Sequence, residues 1–215
     1  GGNGGVLYLK NISKVKIDEC KFDGIFSKNS GGAVFVSAVN EFKFTNNESY
    51  NNRSNEGFGG VVYLTNAKAA TFNGNIYFAN YAESGGSLYF KNGNIQIDND
   101  EIDYNTAKSK AGGFYISEAS GGIKNSIFQK NELQDTYSDG GGLFLIDLKP
   151  EGISLLDNTF KENSSYKGSA VFLENSKSRF TRNKFIQNKS NGAGAVYFNA
   201  GSSDSWLVNC LFYQN

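Results

Sequence analysis

The chain has 215 residues, with 21 basic and 21 acidic side chains, no histidine, no methionine and two cysteines. The charges are balanced, and no run of basic residues occurs that could contact the phosphates of a nucleic acid. We therefore expect no nucleic-acid partner. Without histidine, serine–histidine and cysteine–histidine catalysis are excluded within these residues. The longest apolar stretch is too short to cross a bilayer, and we expect no membrane span in this segment.

A short unit recurs eight times along the chain. It consists of glycine or serine, a small or aliphatic residue, an apolar residue, an aromatic residue and a second apolar residue, as in Gly-Ala-Val-Phe-Val at residues 32–36. Successive units start 25 to 29 residues apart. A period of this length is typical of stacked repeats, in which one repeat cannot bury its own apolar face. We therefore predict one array over residues 1–215, excised from a longer repeat protein.

The second half of each repeat carries four further columns. An apolar residue is followed after three positions by a small polar one, after two more by an apolar one, and after three more usually by asparagine. The recurring asparagines are Asn52, Asn80, Asn105, Asn131, Asn163, Asn188 and Asn215. Asparagine tolerates left-handed backbone in turns. A buried amide left unpaired costs about 1–3 kcal/mol, so we predict that these side chains stack as a hydrogen-bonded ladder.

These patterns predict an all-β fold. Apolar and polar residues alternate with period two over segments of four to six residues, and no segment keeps a helical period. Identical columns one repeat apart suit a right-handed parallel β-helix, in which like side chains stack roughly 4.8 Å apart. We predict about eight turns of roughly 27 residues each.

The aromatic column of the glycine unit is the candidate binding site. Alternation turns its apolar neighbours inward, and the aromatic side chains then share the outer face with a polar column. The column consists of Tyr8, Phe35, Tyr63, Tyr89, Tyr115, Phe144, Phe172 and Tyr197. We expect it to face solvent, where it offers a platform for a sugar chain or a partner strand; the alternative is that it only fills shape between turns. Replacing Tyr63, Tyr89 and Tyr115 by serine is then expected to reduce adhesion and leave the thermal midpoint nearly unchanged.

Carboxylates keep an enzymatic alternative open. β-Helix enzymes that act on polysaccharides place acidic residues on neighbouring turns. One acidic group lies within a single repeat and comprises Asp98, Asp100, Glu101 and Asp103. A second lies on the two longest departures from the repeat and comprises Asp135, Asp139, Asp147 and Glu151. We interpret both groups as solvated turn residues, and we expect no catalytic residue, no cofactor and no metal site.

The two cysteines, Cys20 and Cys210, occupy the same polar column seven repeats apart. At the strand spacing this separates them by roughly 34 Å, far beyond the reach of a disulfide. We expect two inert, buried thiols. Of the five glycosylation sequons, four begin at stacked column positions, so only Asn11 offers a usable acceptor.

The paired signatures resemble a known repeat. Gly-Gly-Ala-Val at residues 31–34 and Phe-x-x-Asn at residues 128–131, 160–163, 185–188 and 212–215 are similar to the polymorphic outer-membrane protein repeat of chlamydial autotransporter adhesins. The resemblance implies a right-handed β-helix and a surface-displayed stalk that adheres to host or neighbouring cells. Three positions depart from the pattern, namely Ile25, Ser49 and Ile102.

We therefore expect a non-enzymatic scaffold, extracellular or at the cell surface, with a structural or adhesive role. Its expected partners are cell-surface proteins, glycans or further copies of itself. The first alternative is a polysaccharide lyase or hydrolase. The second is a self-assembling filament or surface-layer component, because unpaired strand edges at the ends of a β-helix favour association.

Overall fold

The computed structural model describes residues 2–202 and 204–215. Within these ranges 26 strands, all paired in parallel, wind into a right-handed β-helix, and we call each of its eight turns a rung. This confirms the predicted fold class and repeat length. No helix long and apolar enough to span a membrane occurs in the described residues.

Three parallel sheets form the walls of the coil, one strand of each sheet per rung where the repeat is regular. The first sheet contains β1 (Leu7–Asp18), β4 (Val34–Thr45), β7 (Val62–Asn73), β10 (Leu88–Asp98), β13 (Phe114–Lys124), β16 (Leu143–Ile146), β17 (Ile153–Leu156), β20 (Val171–Glu174), β21 (Ser178–Thr181), β24 (Val196–Phe198) and β25 (Trp206–Val208). The second contains β2 (Lys21–Asp23), β5 (Glu48–Tyr50), β8 (Ile76–Phe78), β11 (Glu101–Asp103), β14 (Ile127–Gln129), β18 (Thr159–Lys161), β22 (Lys184–Ile186) and β26 (Leu211–Tyr213). The third contains β3 (Phe26–Ser27), β6 (Arg53–Ser54), β9 (Tyr81–Ser84), β12 (Thr106–Lys110), β15 (Glu132–Leu133), β19 (Ser164–Lys167) and β23 (Lys189–Ala193).

The strands of the first sheet are longer than the sequence indicated. In the first five rungs the glycine unit and the following apolar segment form one strand of 11 or 12 residues, bent in the middle. The bend lies at a residue with positive φ, such as Asn66 (55°) or Asn92 (62°). A single left-handed residue redirects the chain without ending the strand. From the sixth rung onward the strand is divided in two, and in that rung the departure at residues 147–152 separates β16 from β17.

Residues that the sequence places in one column lie opposite each other in the sheets. Tyr8 lies opposite Phe35, and Ile17 lies opposite Phe44. The inward column residues form one continuous hydrophobic cluster along the coil. Burial of each such side chain contributes roughly 1.5–3 kcal/mol. The hydrophobic core therefore extends along the whole coil, with equivalent contacts repeated at each rung.

At the corners beside the second sheet, the expectation that asparagine supplies the left-handed backbone is wrong. The ladder asparagines do not adopt left-handed backbone; the residue before each of them does, as at Asn51 (φ 55°) before Asn52 and Tyr104 (φ 55°) before Asn105. The left-handed position accepts many residue types, including Ala79. Asparagine is therefore needed in the ladder for its amide group and not for its backbone tolerance.

Candidate functional site

The aromatic column forms one continuous stack of eight rings on the outer face of the first sheet. Neighbouring ring centroids lie 4.6–5.4 Å apart with interplanar angles of 2–24°. Parallel pairing of the strands brings the rings together, since each ring lies in register with the next, as Tyr89 does with Tyr115. We call these eight rings the outer aromatic stack.

Face-to-face stacking limits what these rings can bind. Each ring inside the stack has both faces covered by its neighbours, as Tyr89 has by Tyr63 and Tyr115. Sugar rings and cations engage aromatic side chains through the ring face, which carries the negative end of the quadrupole. The stack therefore offers its ring edges and phenol hydroxyls to a ligand, and not a flat platform.

Exposure along the stack is uneven, which corrects the expectation of a uniform solvent face. Tyr8 is 55% exposed, whereas Phe144 is 1% and Phe172 2% exposed. Phe144 and Phe172 cluster with Ala111, and the ammonium of Lys110 lies 4.8 Å from the centre of the Phe144 ring. The corner between the third and first sheets covers the stack here. In the sequence this corner looks like any other turn.

Three consecutive tyrosines, Tyr63, Tyr89 and Tyr115, form the tyrosine row of the stack. All three rings are half-buried, and burial raises the pKa of each phenol, so the hydroxyls remain protonated donors at neutral pH. Beside the row, Lys91 and Glu118 form an ion pair of 3.0 Å. Because serine at these positions would remove half-buried stacked rings, we now expect that substitution to lower stability, contrary to the expectation from sequence.

The inner asparagine ladder runs unbroken from the second rung to the eighth. The backbone N–H of each asparagine donates to Oδ1 of the next at 2.9–3.1 Å, and its Nδ2 donates to the same oxygen at 2.8–3.0 Å. Nδ2 also donates to a carbonyl of the rung before, as from Asn105 to Tyr77 at 3.0 Å. Every amide hydrogen inside the ladder thus has an acceptor.

A second inner ladder occupies the small polar column at the preceding corner. Its buried members are Asn47, Asn75, Asp100, Ser126, Asn158 and Asn183. The asparagines repeat the same geometry, with Asn158 donating from N and Nδ2 to Oδ1 of Asn183, at 3.0 Å in both cases. Two polar ladders and one apolar core therefore tie each rung to its neighbours.

The acidic groups do not assemble into a shared site. Asp98 pairs with Lys124 at 3.2 Å on the outside, whereas Asp100 is buried in the second ladder. Asp139 lies in register between Lys110 and Lys167, and burial raises the pKa of its carboxyl against the lowering effect of both lysines. In residues 2–202 and 204–215 no three acidic or cysteine side chains are placed to hold a metal ion together.

The cysteines depart from the expectation of buried thiols. Both are free, with Cys20 exposed and Cys210 half-buried. Cys20 belongs to the first rung and Cys210 to the last rung. In the described structure each of these rungs has a neighbour on one side, which leaves the column less covered at both cysteines. Of the sequon asparagines, Asn47 is buried and Asn11 is exposed.

Sequence reasoning missed a shallow groove along the bends of the first sheet. Two adjoining cavities of about 430 and 400 Å³ share Asn66 and Lys68. Their lining includes the amide side chains of Asn40, Asn92 and Asn94, and no acidic residue. Three of the four bend residues along this groove are asparagines, namely Asn11, Asn66 and Asn92, and this recurrence is the sequence pattern that marks it.

Comparison with known proteins yields one match. A family model described as right handed beta helix region covers residues 60–215, which is most of the chain. No curated protein and no solved structure matches the chain.

Proposed function

Because the chain belongs to the right-handed β-helix family, we propose that it is a non-enzymatic scaffold of an extracellular or cell-surface protein, with a structural or adhesive role. The observation that carries this proposal is the continuity of the columns. The asparagine ladder spans seven rungs, and the outer aromatic stack spans eight. The recurring residues are thus engaged in contacts between rungs, as a stiff spacer requires.

The adhesive part of the proposal rests on the tyrosine row. Its three rings stack nearly parallel, 4.6–5.2 Å apart, beside the Lys91–Glu118 ion pair, and each carries one hydroxyl. Such a row recognises a partner through hydrogen bonds and ring edges. A glycan with closely spaced hydroxyls or an extended peptide strand fits this chemistry.

Phenylalanine substitution separates the hydroxyls from the stack. The column already contains Phe35, Phe144 and Phe172 in stacked geometry, so phenylalanine preserves the ring contacts. A triple substitution of the tyrosine row by phenylalanine is expected to leave stability within about 0.5 kcal/mol. Loss of three hydrogen bonds at about 0.5–1.5 kcal/mol each weakens binding roughly tenfold or more.

The measurement is binding of the labelled protein to intact cells and to a glycan array. The matched control replaces Tyr50 and Tyr104, which lie on the second-sheet side of the coil, by phenylalanine and is expected to bind like the parent. Unchanged binding by the tyrosine-row variant would contradict the adhesive role of Tyr63, Tyr89 and Tyr115. Staining of intact cells by an antibody against this chain tests the surface location.

Catalysis is tested separately. The parent protein is incubated with acidic and neutral polysaccharides, with and without calcium, and release of reducing ends or unsaturated uronates is followed. No turnover is expected. Turnover that Asp139→Asn abolishes while stability is retained would refute the non-enzymatic proposal and favour a lyase or hydrolase.

A further inference from the structure

Asp100 occupies a position of the second inner ladder at which four of the other rungs place the amide of a buried asparagine. At Asn75 the Nδ2 group donates to the carbonyl of Phe44 at 2.8 Å, and at Asn183 it donates to the carbonyl of Leu155 at 2.9 Å. In each case the acceptor lies three residues before the ladder residue of the preceding rung. Applied to the fourth rung, this register gives the carbonyl of Phe72 as the partner of the second Asp100 oxygen.

The hydrogen bonds of Asp100 leave that second oxygen without a donor. Its Oδ1 accepts from the backbone N–H of Asn75 at 2.8 Å and from Asn75 Nδ2 at 3.0 Å. Its Oδ2 is buried with no hydrogen-bond partner, and the residue is 1% exposed. An ionised carboxylate is an acceptor only, so its Oδ2 would confront a carbonyl oxygen. A protonated carboxyl instead supplies the O–H that reproduces the amide donor.

Among the residues that the structure describes, no cation offsets a negative charge at this position. On its own rung the nearby acids are Asp98 and Glu101, and the rung before contributes Tyr77, whose buried hydroxyl also lacks a partner. On the rung after, Lys124 lies on the outside and pairs with Asp98 at 3.2 Å. Burial, followed by repulsion from Asp98, raises the pKa of the Asp100 carboxyl against the hydrogen bonds from Asn75.

We propose that Asp100 is a proton-binding site of the folded chain, held as a neutral carboxylic acid whose Oδ2–H donates to the carbonyl of Phe72, and that loss of this proton opens the ladder between the third and fourth rungs. The device makes the middle of the coil sensitive to pH. It is independent of adhesion by the tyrosine row, and it goes beyond a passive scaffold.

The direction of the pH dependence follows from the raised pKa. Between the unfolded value, about 3.9, and the folded value, the folded chain binds more protons than the unfolded chain. The contribution of Asp100 to stability is therefore fully present below about pH 4 and is lost as pH rises through that window. The folding equilibrium constant falls roughly tenfold for each pH unit within it.

The test compares urea unfolding of the parent and of Asp100→Asn from about pH 3 to about pH 9. The variant carries an amide that does not titrate, and it is expected to gain stability relative to the parent as pH rises, by at least tenfold in the folding constant at neutral pH. Asp23→Asn is the matched control, since it removes a carboxyl from an exposed position three rungs away, and it should follow the parent slope. Parallel pH profiles for the parent and Asp100→Asn would overturn the proposal.

A second measurement observes the proton itself. With 13C-labelled aspartate, the infrared difference between parent and Asp100→Asn at neutral pH should contain the carbonyl band of a carboxylic acid. A carboxylate band of Asp100 in place of the carboxylic-acid band would refute the proposal. If Asp100→Asn fails to fold, Asp100→Ser replaces it, because Ser126 already occupies the same column in a buried position.

Discussion

Asn105→Leu is the sharpest perturbation of the inner asparagine ladder. Leucine has the same branched shape, with two bulkier methyl groups in place of the amide oxygen and nitrogen, so the substitution removes the amide without opening a cavity. Four hydrogen bonds disappear with it. Asn105 Oδ1 accepts two from Asn80, both at 2.9 Å, and Nδ2 donates one to Tyr77 and one to Asn131, both at 3.0 Å.

The cost is set by the groups that lose their partners. The backbone N–H of Asn80 loses its acceptor, and the carbonyl of Tyr77 loses the amide donor. Each buried polar group left unsatisfied costs about 1–3 kcal/mol, which gives roughly 2–6 kcal/mol for the pair. For a chain of this size the thermal midpoint should fall by roughly 4–24 °C. The loss of roughly 2–6 kcal/mol is a large part of the typical free energy of unfolding of a folded protein, about 5–15 kcal/mol.

Urea and thermal unfolding followed by circular dichroism measure this loss. Hydrogen exchange at the amide of Asn80 should accelerate more than exchange at amides several rungs away, because rungs contact only their neighbours. Asn94→Leu is the matched control, since Asn94 is exposed, and it should change stability by about 0.5 kcal/mol or less. If Asn105→Leu proves as stable as the parent, the ladder does not contribute to stability as argued.

A pair of glycine substitutions tests the packing between rungs, and a labelling experiment tests the exposure of the two cysteines. A Cβ at Gly32 would overlap the carbonyl oxygen of Gly60, so Gly32→Ala should cost more than about 3 kcal/mol in chemical denaturation. A Cβ at Gly24 meets nothing within 4 Å, so Gly24→Ala should cost only about 1 kcal/mol, from its positive φ of 66°. A maleimide should modify Cys20 in the native protein faster than Cys210, which mass spectrometry after digestion can measure. Equal costs for the two alanine variants, or a faster Cys210, would contradict the exposure and packing described here.

Much of the fold was predictable because it is periodic. Each column occurs eight times, so an exception such as Ser49 or Ile102 does not obscure the register. Alternation then separates inward from outward residues in every strand. The same periodicity predicted an outer aromatic column and an inward asparagine column, since parallel pairing in register places like side chains of neighbouring rungs next to each other.

What the sequence did not reveal depends on contacts between different columns. Phe144 and Tyr63 occupy equivalent positions, yet Phe144 is almost fully buried because Ala111 and Lys110 pack against it. The merging of two segments into one bent strand depends on a left-handed residue such as Ala38 (φ 60°), a conformation that alanine seldom adopts. Asp100 falls in the small polar column of the repeat, yet we interpreted it as a solvated turn carboxylate; the structure buries it with one oxygen unpaired.

The asparagine ladder also has a direction. From the second rung to the seventh, the ladder asparagine donates from its backbone N–H to the side-chain oxygen of the following rung, and in the described residues no ladder backbone N–H donates to the side-chain oxygen of the rung before. Two copies related by a two-fold axis across the coil would meet with donor against donor or acceptor against acceptor. A ladder of this kind is therefore compatible with head-to-tail, heterologous contacts and incompatible with an isologous dimer through the same columns. The chemistry of one side chain thus limits the symmetry of an end-to-end assembly formed through this ladder.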